Sequence, residues 1–271
     1  MPAIQLEILK EQVEKLIRLF NQPDEFVREL HDLLGTYSNR SIYRPGRTIH
    51  PIRQINTYYT PSIIMREIEK GLKNKAVNDP DAAFNLIDNL WREDFSEFNT
   101  FAAFLLGLAP VQNPEPVLGR IGSWAQPTLA PYAMTALLES GAMRLRREKA
   151  NEYLSLIQTW LDSTSMAGKK IGLQALYYLA MDNQFHDLPK IFTLIIPLIK
   201  QVPVGLQGEL RQLLVVLIRR SPTETAYTLK QIVFLTPSQD TKRLLRKVLD
   251  ELPDELRSKL RDLINNPDMD I

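Results

Sequence analysis

The chain has 271 residues, no cysteine, and 33 basic against 32 acidic side chains, a formal charge of +1 at pH 7. Without cysteine there are no disulfides, thiolate zinc sites or cysteine nucleophiles, and the balanced charge excludes the overall basic excess usual for nucleic-acid-binding proteins, so any such surface must be local. The 44% hydrophobic and 24% charged residues suit an ordinary globular protein; residues 1–20 mix charge with apolar residues, unlike a signal peptide, and no run approaches the roughly 20 apolar residues of a membrane span, so the expected compartment is the cytoplasm.

From the first residues onward the apolar spacing is helical. Leu6, Leu9, Val13, Leu16, Ile17 and Phe20 recur at three and four residues, and so do Leu154, Ile157, Trp160 and Leu161. The pattern predicts about fourteen helices, at approximately 3–20, 23–34, 61–75, 80–92, 95–109, 114–125, 127–139, 149–163, 165–181, 185–200, 206–220, 222–235, 237–250 and 253–265. Proline punctuates them. Thr60-Pro61, Asp79-Pro80, Asn113-Pro114, Ser221-Pro222 and Thr236-Pro237 each set a capping side chain before a proline at the first helical position, where its missing N–H costs nothing. Pro189 falls near a predicted start and Pro197 within a helix.

Short links make sequential helices antiparallel neighbours, and helices apolar around most of their circumference, such as residues 171–180, need neighbours on several sides. The expected fold is all-α: a HEAT-like α-solenoid of about seven stacked antiparallel helix pairs, one domain over residues 1–271, with the mixed-charge C-terminal helices capping it and residues 265–271 fraying.

Residues 33–66 hold five arginines and no acid: Arg40, Arg44, Arg47, Arg53 and Arg66. Tyr37, Tyr43, Tyr58, Tyr59 and His50 are interleaved, and residues 36–59 lack a helical pattern. Arginine with tyrosine suits phosphate contact and ring stacking, making Arg40, Tyr43, Arg44, Arg47 and Arg53 candidate anion or nucleic-acid contacts; packed tyrosines and solvated arginines are the structural alternative. Lys169 and Lys170 open a very apolar helix, where cations oppose the macrodipole and an anionic partner would relieve the cost. Arg144, Arg146, Arg147 and Lys149 form a further basic group, read as a solvated inter-helix link. Trp91, Trp124 and Trp160 each stand near a helix end, as core packing or, for Trp124, an aromatic contact for a ligand. His31, His50 and His186 are scattered without metal-binding spacing; there is no phosphate-binding loop or nucleophile elbow, and Glu93-Asp94 and Asp250-Glu251 read as ordinary helix-end acids. No cofactor or metal is expected.

The middle of the chain resembles the bacterial DNA alkylation repair glycosylases built of HEAT-like repeats, the AlkD-like family. Leu90-Trp91, Phe95, Glu97 and residues 101–106, then Ser123-Trp124, residues 157–160 and 169–176, follow the order of that family's helix pairs over roughly residues 60–260. The resemblance implies a basic DNA-binding groove, with Lys169-Lys170 where a basic pair is expected. It also implies a Trp-Asp-x-x-Asp motif after a helix-end tryptophan, yet residues 124–138 contain no carboxylate. The expected function is therefore a divergent DNA- or polyanion-binding member lacking the usual glycosylase residues. A protein-interaction scaffold comes second, and an alkylpurine DNA glycosylase with relocated catalytic residues third. DNA, or alternatively another protein, is the expected partner; no membrane is.

Overall fold

The computed structural model describes residues 5–38, 56–235 and 238–265. Among them every regular element is helical, with fifteen α-helices and no strand. The helices fall into two compact units, Met1–Lys149 and Ala150–Ile271. No helix among the described residues is long and apolar enough to cross a membrane.

The first unit comprises α1 (Leu6–Arg18), α2 (Pro23–Thr36), α3 (Ser62–Asn78), α4 (Pro80–Arg92), α5 (Ser96–Leu106), α6 (Glu115–Trp124), α7 (Pro131–Ala136), a π-helical turn (Leu137–Gly141) and α8 (Met143–Glu148). Two rows arise. The helix α1 packs on α3, α3 on α5, and α5 on α7 and the π-turn, while α2 packs on α4, and cross-row packing joins α1 to α2, α3 to α4 and α4 to α5. This is the layered stacking expected of helix pairs that shield one another's apolar faces. The inner face of α5 is the most deeply covered: Phe98, Phe101, Ala102, Ala103 and Leu105 are fully buried. Each buried phenylalanine or leucine contributes about 1.5–3 kcal/mol by leaving water. The approach of α5 to the π-turn is so close that a Cβ on Gly107 would lie 2.2 Å from the Ser140 carbonyl oxygen, so only glycine fits there. Between α4 and α6, Arg120 donates to both carboxylate oxygens of Asp88 at 2.8 and 2.7 Å and lies over the Phe84 ring.

The second unit holds α9 (Ala150–Leu161), α10 (Met166–Met181), α11 (Leu188–Lys200), α12 (Gln207–Arg220), α13 (Pro222–Leu235), α14 (Gln239–Arg246) and α15 (Asp254–Asn265). Here α10 packs on α9, α11 and α12, and α13 on α11, α12, α14 and α15. A Cβ on Gly172 would come within 2.7 Å of the Leu161 side chain, which sets how closely α9 and α10 approach. Thr241, fully buried, closes the far end by donating to the Ile199 carbonyl at 2.7 Å.

The predicted boundaries hold at α4 and α13, and the caps explain where others move. Asp79 accepts from the Ala82 N–H at 3.1 Å as the Asp79-Pro80 pair requires. Thr60 does not cap α3; its own N–H is turned to Glu97. The pair Thr236-Pro237 lies outside the described residues, and Ser238 caps α14 by accepting from the Thr241 N–H. The predicted helix over 127–139 starts late, at Pro131, because proline holds the preceding Ala130 extended, and it ends in the π-turn. That turn also corrects the reading of the 144–149 group as a solvated link. The buried Arg146 guanidinium donates to the π-turn carbonyls of Leu138 and Glu139. Arg144 donates to the Leu108 carbonyl and pairs with Glu148 at 2.7 Å. These cations are structural members of the short helix α8.

Candidate functional site

The helix α4 ends at Arg92, directly after Trp91, and the turn Glu93–Phe95 leads into α5. Asn99, itself buried, holds that turn by donating to the carbonyls of Trp91 and Glu93 at 3.3 and 3.2 Å. One helix pair further on, α6 ends in Trp124. The two indoles stack, with centroids 4.5 Å apart and planes within 10°. Both are half-buried, so each keeps an edge or face toward solvent. Beside them a cleft of about 360 Å³ opens, lined by Trp91, Glu93, Asp94, Trp124 and Tyr132 together with Arg92 and residues of the α6–α7 connection. Its charged side chains are one guanidinium and two carboxylates. Burial pushes the Tyr132 phenol above its ordinary range, and the nearby Asp94 and Glu97 carboxylates push it further, so it remains a neutral donor.

The carboxylates are not loose. Asn56 donates to Asp94 at 3.2 Å, and the Asn56 carbonyl accepts from the Ser96 N–H at 3.0 Å. Residues 56–60 run as a strap across the start of α5, and Glu97 is the anchor. Its carboxylate, 6% exposed, accepts from Thr57 Oγ1 (2.8 Å), the N–H groups of Tyr58 (3.0 Å) and Thr60 (3.4 Å), and Ser96 Oγ (2.9 Å). Tyr59 sits in the strap at φ 53°, left-handed for a non-glycine, with its N–H on Thr57 Oγ1. Glu93 is held from the other side by His31 Nε2 at 3.2 Å, and His31 Nδ1 meets the Tyr58 hydroxyl at 2.7 Å.

Of the residues singled out in the sequence, Arg40, Tyr43, Arg44, Arg47 and Arg53 lie outside the described residues. Trp124 is in the cleft. Lys169 and Lys170 lie in the second unit, in the opening turns of α10. Lys170 pairs with Glu209, at the start of α12, at 2.9 Å, so the N-termini of these two helices sit side by side. Lys169 makes no ion pair among the described residues. A hollow of about 470 Å³ near the start of α12 is lined by Gln207, Gly208, Arg211 and Lys247. This edge thus carries lysines, an arginine and two helix N-termini, the arrangement that attracts phosphate oxygens. Trp160 is half-buried at the end of α9. Among the described residues no group of three or more His, Cys, Asp or Glu is placed to hold a metal ion.

Sequence reading missed Glu93, Asp94, Tyr132, His31 and the anchoring by Glu97. Residues 124–138, after the second tryptophan, carry no carboxylates. The structure supplies them from the preceding helix pair, after Trp91, because the two indoles stack and so share one cleft. The available signal was the run Trp91-Arg92-Glu93-Asp94, acids directly after a helix-end tryptophan.

A protein-family model described as DNA alkylation repair enzyme matches residues 58–200, which include every residue of the cleft together with Lys169 and Lys170. No curated protein and no solved structure matches the chain.

Proposed function

The chain belongs to the DNA alkylation repair enzyme family, and from that premise we propose that it binds alkylated DNA and uses the Trp91–Trp124 cleft to release the damaged base. One observation carries this reading: stacked indoles, a neutral phenol and two carboxylates line the same cleft. An alkylated purine is a planar cation. Aromatic faces attract cations through their quadrupole, and carboxylates do so by charge. Hydrolysis of its glycosidic bond moves the bonding pair onto the base, which becomes neutral, while positive charge grows on the sugar. Water adds its oxygen to the sugar carbon and surrenders a proton. Glu93 or Asp94 supplies what that transition state needs, a fixed negative charge and a proton acceptor. Carboxylates relocated to the α4–α5 turn favour the glycosylase reading over a purely binding one.

In the second unit the cationic edge at the starts of α10 and α12 serves the phosphate backbone, with Lys169, Arg211 and Lys247 making no ion pair with a described carboxylate. Phosphate contacts of this kind give sequence-independent affinity that falls steeply with salt.

The test is incubation of N-methylated duplex DNA with the protein and measurement of free methylated base. Release that falls about 100-fold in the Glu93→Gln/Asp94→Asn variant supports the reading. Binding without release assigns the chain to the non-excising reading, and neither binding nor release overturns both.

A protein-interaction scaffold is favoured by a separate observation. Tyr227, Phe234 and Leu235 on α13 are 62%, 56% and 67% exposed, and a groove of about 570 Å³ is lined by Tyr227, Phe234 and Leu263 with two lysines, Lys230 and Lys259, against one acid, Asp262. An apolar segment bearing an acidic residue fits it. In that case Phe234→Ser abolishes capture of such a segment and leaves DNA binding unchanged.

A further inference from the structure

We propose that His31 is a positioning residue for the cleft carboxylate Glu93, and that a proton on its ring and a cationic ligand in the cleft exclude one another. The inference rests on the reading of the cleft as a receptor for a planar cation. It concerns a residue on α2, outside the matched family region, and a control that the proposed activity does not by itself require.

The hydrogen-bond chain has a direction. Burial, and then the carboxylates of Glu97, Asp32 and Glu93, push the Tyr58 phenol above its ordinary range, so it keeps its proton. The Glu93 carboxylate can only accept, so the ring proton of neutral His31 is on Nε2, which donates to Glu93 Oε2 at 3.2 Å, and Nδ1 accepts from the Tyr58 hydroxyl at 2.7 Å. The ring cannot easily turn away. Phe98 lies 4.3 Å from it and Phe95 meets it edge-on at 5.2 Å, while Phe95 also stacks on Tyr58 at 4.9 Å. One oxygen of Glu93 is thereby fixed, and Oε1 is left for a ligand.

A second proton on the imidazole alters both ends of this chain. Nδ1–H now faces a hydroxyl that was donating to it, so the phenol must rotate and accept. Glu93 acquires a full positive charge at 3.2 Å. The titratable groups facing the ring are Glu93 from the α4–α5 turn and Tyr58 from the strap, with Asp32 beside it on α2 and Glu97 behind the strap on α5. None is basic, so the proton on His31 is the first positive charge among them. The charged side chains of the cleft, Arg92, Glu93 and Asp94, then no longer carry a net negative charge once His31 is counted with them. A cationic base loses its electrostatic partner, while a neutral base of the same shape loses nothing. His31 and Glu93 are 27% and 33% exposed, open enough for proton exchange with solvent.

The experiment follows quenching of tryptophan fluorescence by 1-methyladenosine, which is a cation throughout the range, and by neutral adenosine, between about pH 7.5 and 5.5. Affinity for the cation falls about tenfold toward the acid end, and affinity for adenosine stays level. In His31→Gln the amide takes the place of Nε2–H, so affinity at the upper pH is retained and the pH dependence flattens. In His31→Asn the amide takes the place of Nδ1, Glu93 is released, and binding of the cation is weak at every pH. A wild-type pH slope persisting in His31→Gln overturns the proposal. A ligand-free measurement separates it from the reading of the cleft: NMR of the His31 ring nitrogens, which reports the ring proton held on Nε2 in the wild type and no longer held there in Glu93→Gln. Absence of that change overturns the coupling. Its presence together with no binding of 1-methyladenosine at any pH keeps the coupling and overturns the cleft as a receptor for the cation.

Discussion

Two helices of this protein begin with opposite charges, and the contrast separates architecture from function. The apolar helix α5 opens with Glu97, whose buried carboxylate faces the positive end of the macrodipole and takes four hydrogen bonds from the strap and Ser96. The apolar α10 carries Lys169 and Lys170 as its fourth and fifth residues. They oppose the dipole; one leans on Glu209 and the other has no described ion-pair partner. A carboxylate at such a position is satisfied by the fold alone. Of the two cations Lys170 is answered by Glu209, and Lys169 is left for an outside anion, the DNA phosphate proposed above.

The comparison breaks most sharply under Glu97→Ala. Four donors lose their acceptor at once, and with about 1–3 kcal/mol for a buried unsatisfied group, much of it recovered by water entry at the strap, unfolding stability falls by about 3 kcal/mol. Chemical denaturation checks this, and retained stability would remove Glu97 as the anchor of the cleft wall. Next in size, Trp124→Ala removes the ring stacked on Trp91 and weakens binding of a methylated nucleoside about tenfold or more, read by titration calorimetry, with binding in the second unit unchanged. Lys169→Ala/Lys170→Ala tests the other side of the contrast. Melting temperature holds or rises slightly because an unfavourable dipole interaction is gone and an exposed pair is worth about 0–1 kcal/mol. The slope of log affinity against log salt on duplex DNA shrinks by about 0.9 for each phosphate that a lysine no longer neutralises. The smallest effect is spectroscopic. Tyr132 ionises above the ordinary tyrosine range, and Asp94→Asn moves it back downward by removing one of the charges that hold the proton on; ultraviolet absorbance at rising pH follows both.

Much of the helical plan is legible in residues close together in the chain. The Asp79-Pro80 cap and the 3.6-residue spacing of Ala83, Leu86, Ile87 and Leu90 set α4 at its predicted bounds. The π-turn was not legible, since its carbonyls are satisfied by Arg146, several residues later and indistinguishable in sequence from a solvated arginine. The candidate site was half legible. Trp124 stood out as a helix-end aromatic. Glu93 and Asp94 did not, because a carboxylate after a helix resembles any other until the turn that carries it is brought under the next tryptophan.

The amino-acid sequence by itself determined the all-helical class, the order of the helices and the resemblance to DNA alkylation repair proteins. The first two depend on periodicity and capping within a few residues, and the resemblance on motifs such as Leu90-Trp91 and Ser123-Trp124. Only the tertiary structure decided that Trp91 lies on Trp124, that Glu93 answers to His31 across 62 residues, and that Glu97 holds the strap. Those partners are distant in the chain, and the burial that makes their hydrogen bonds strong exists only after the helices have packed.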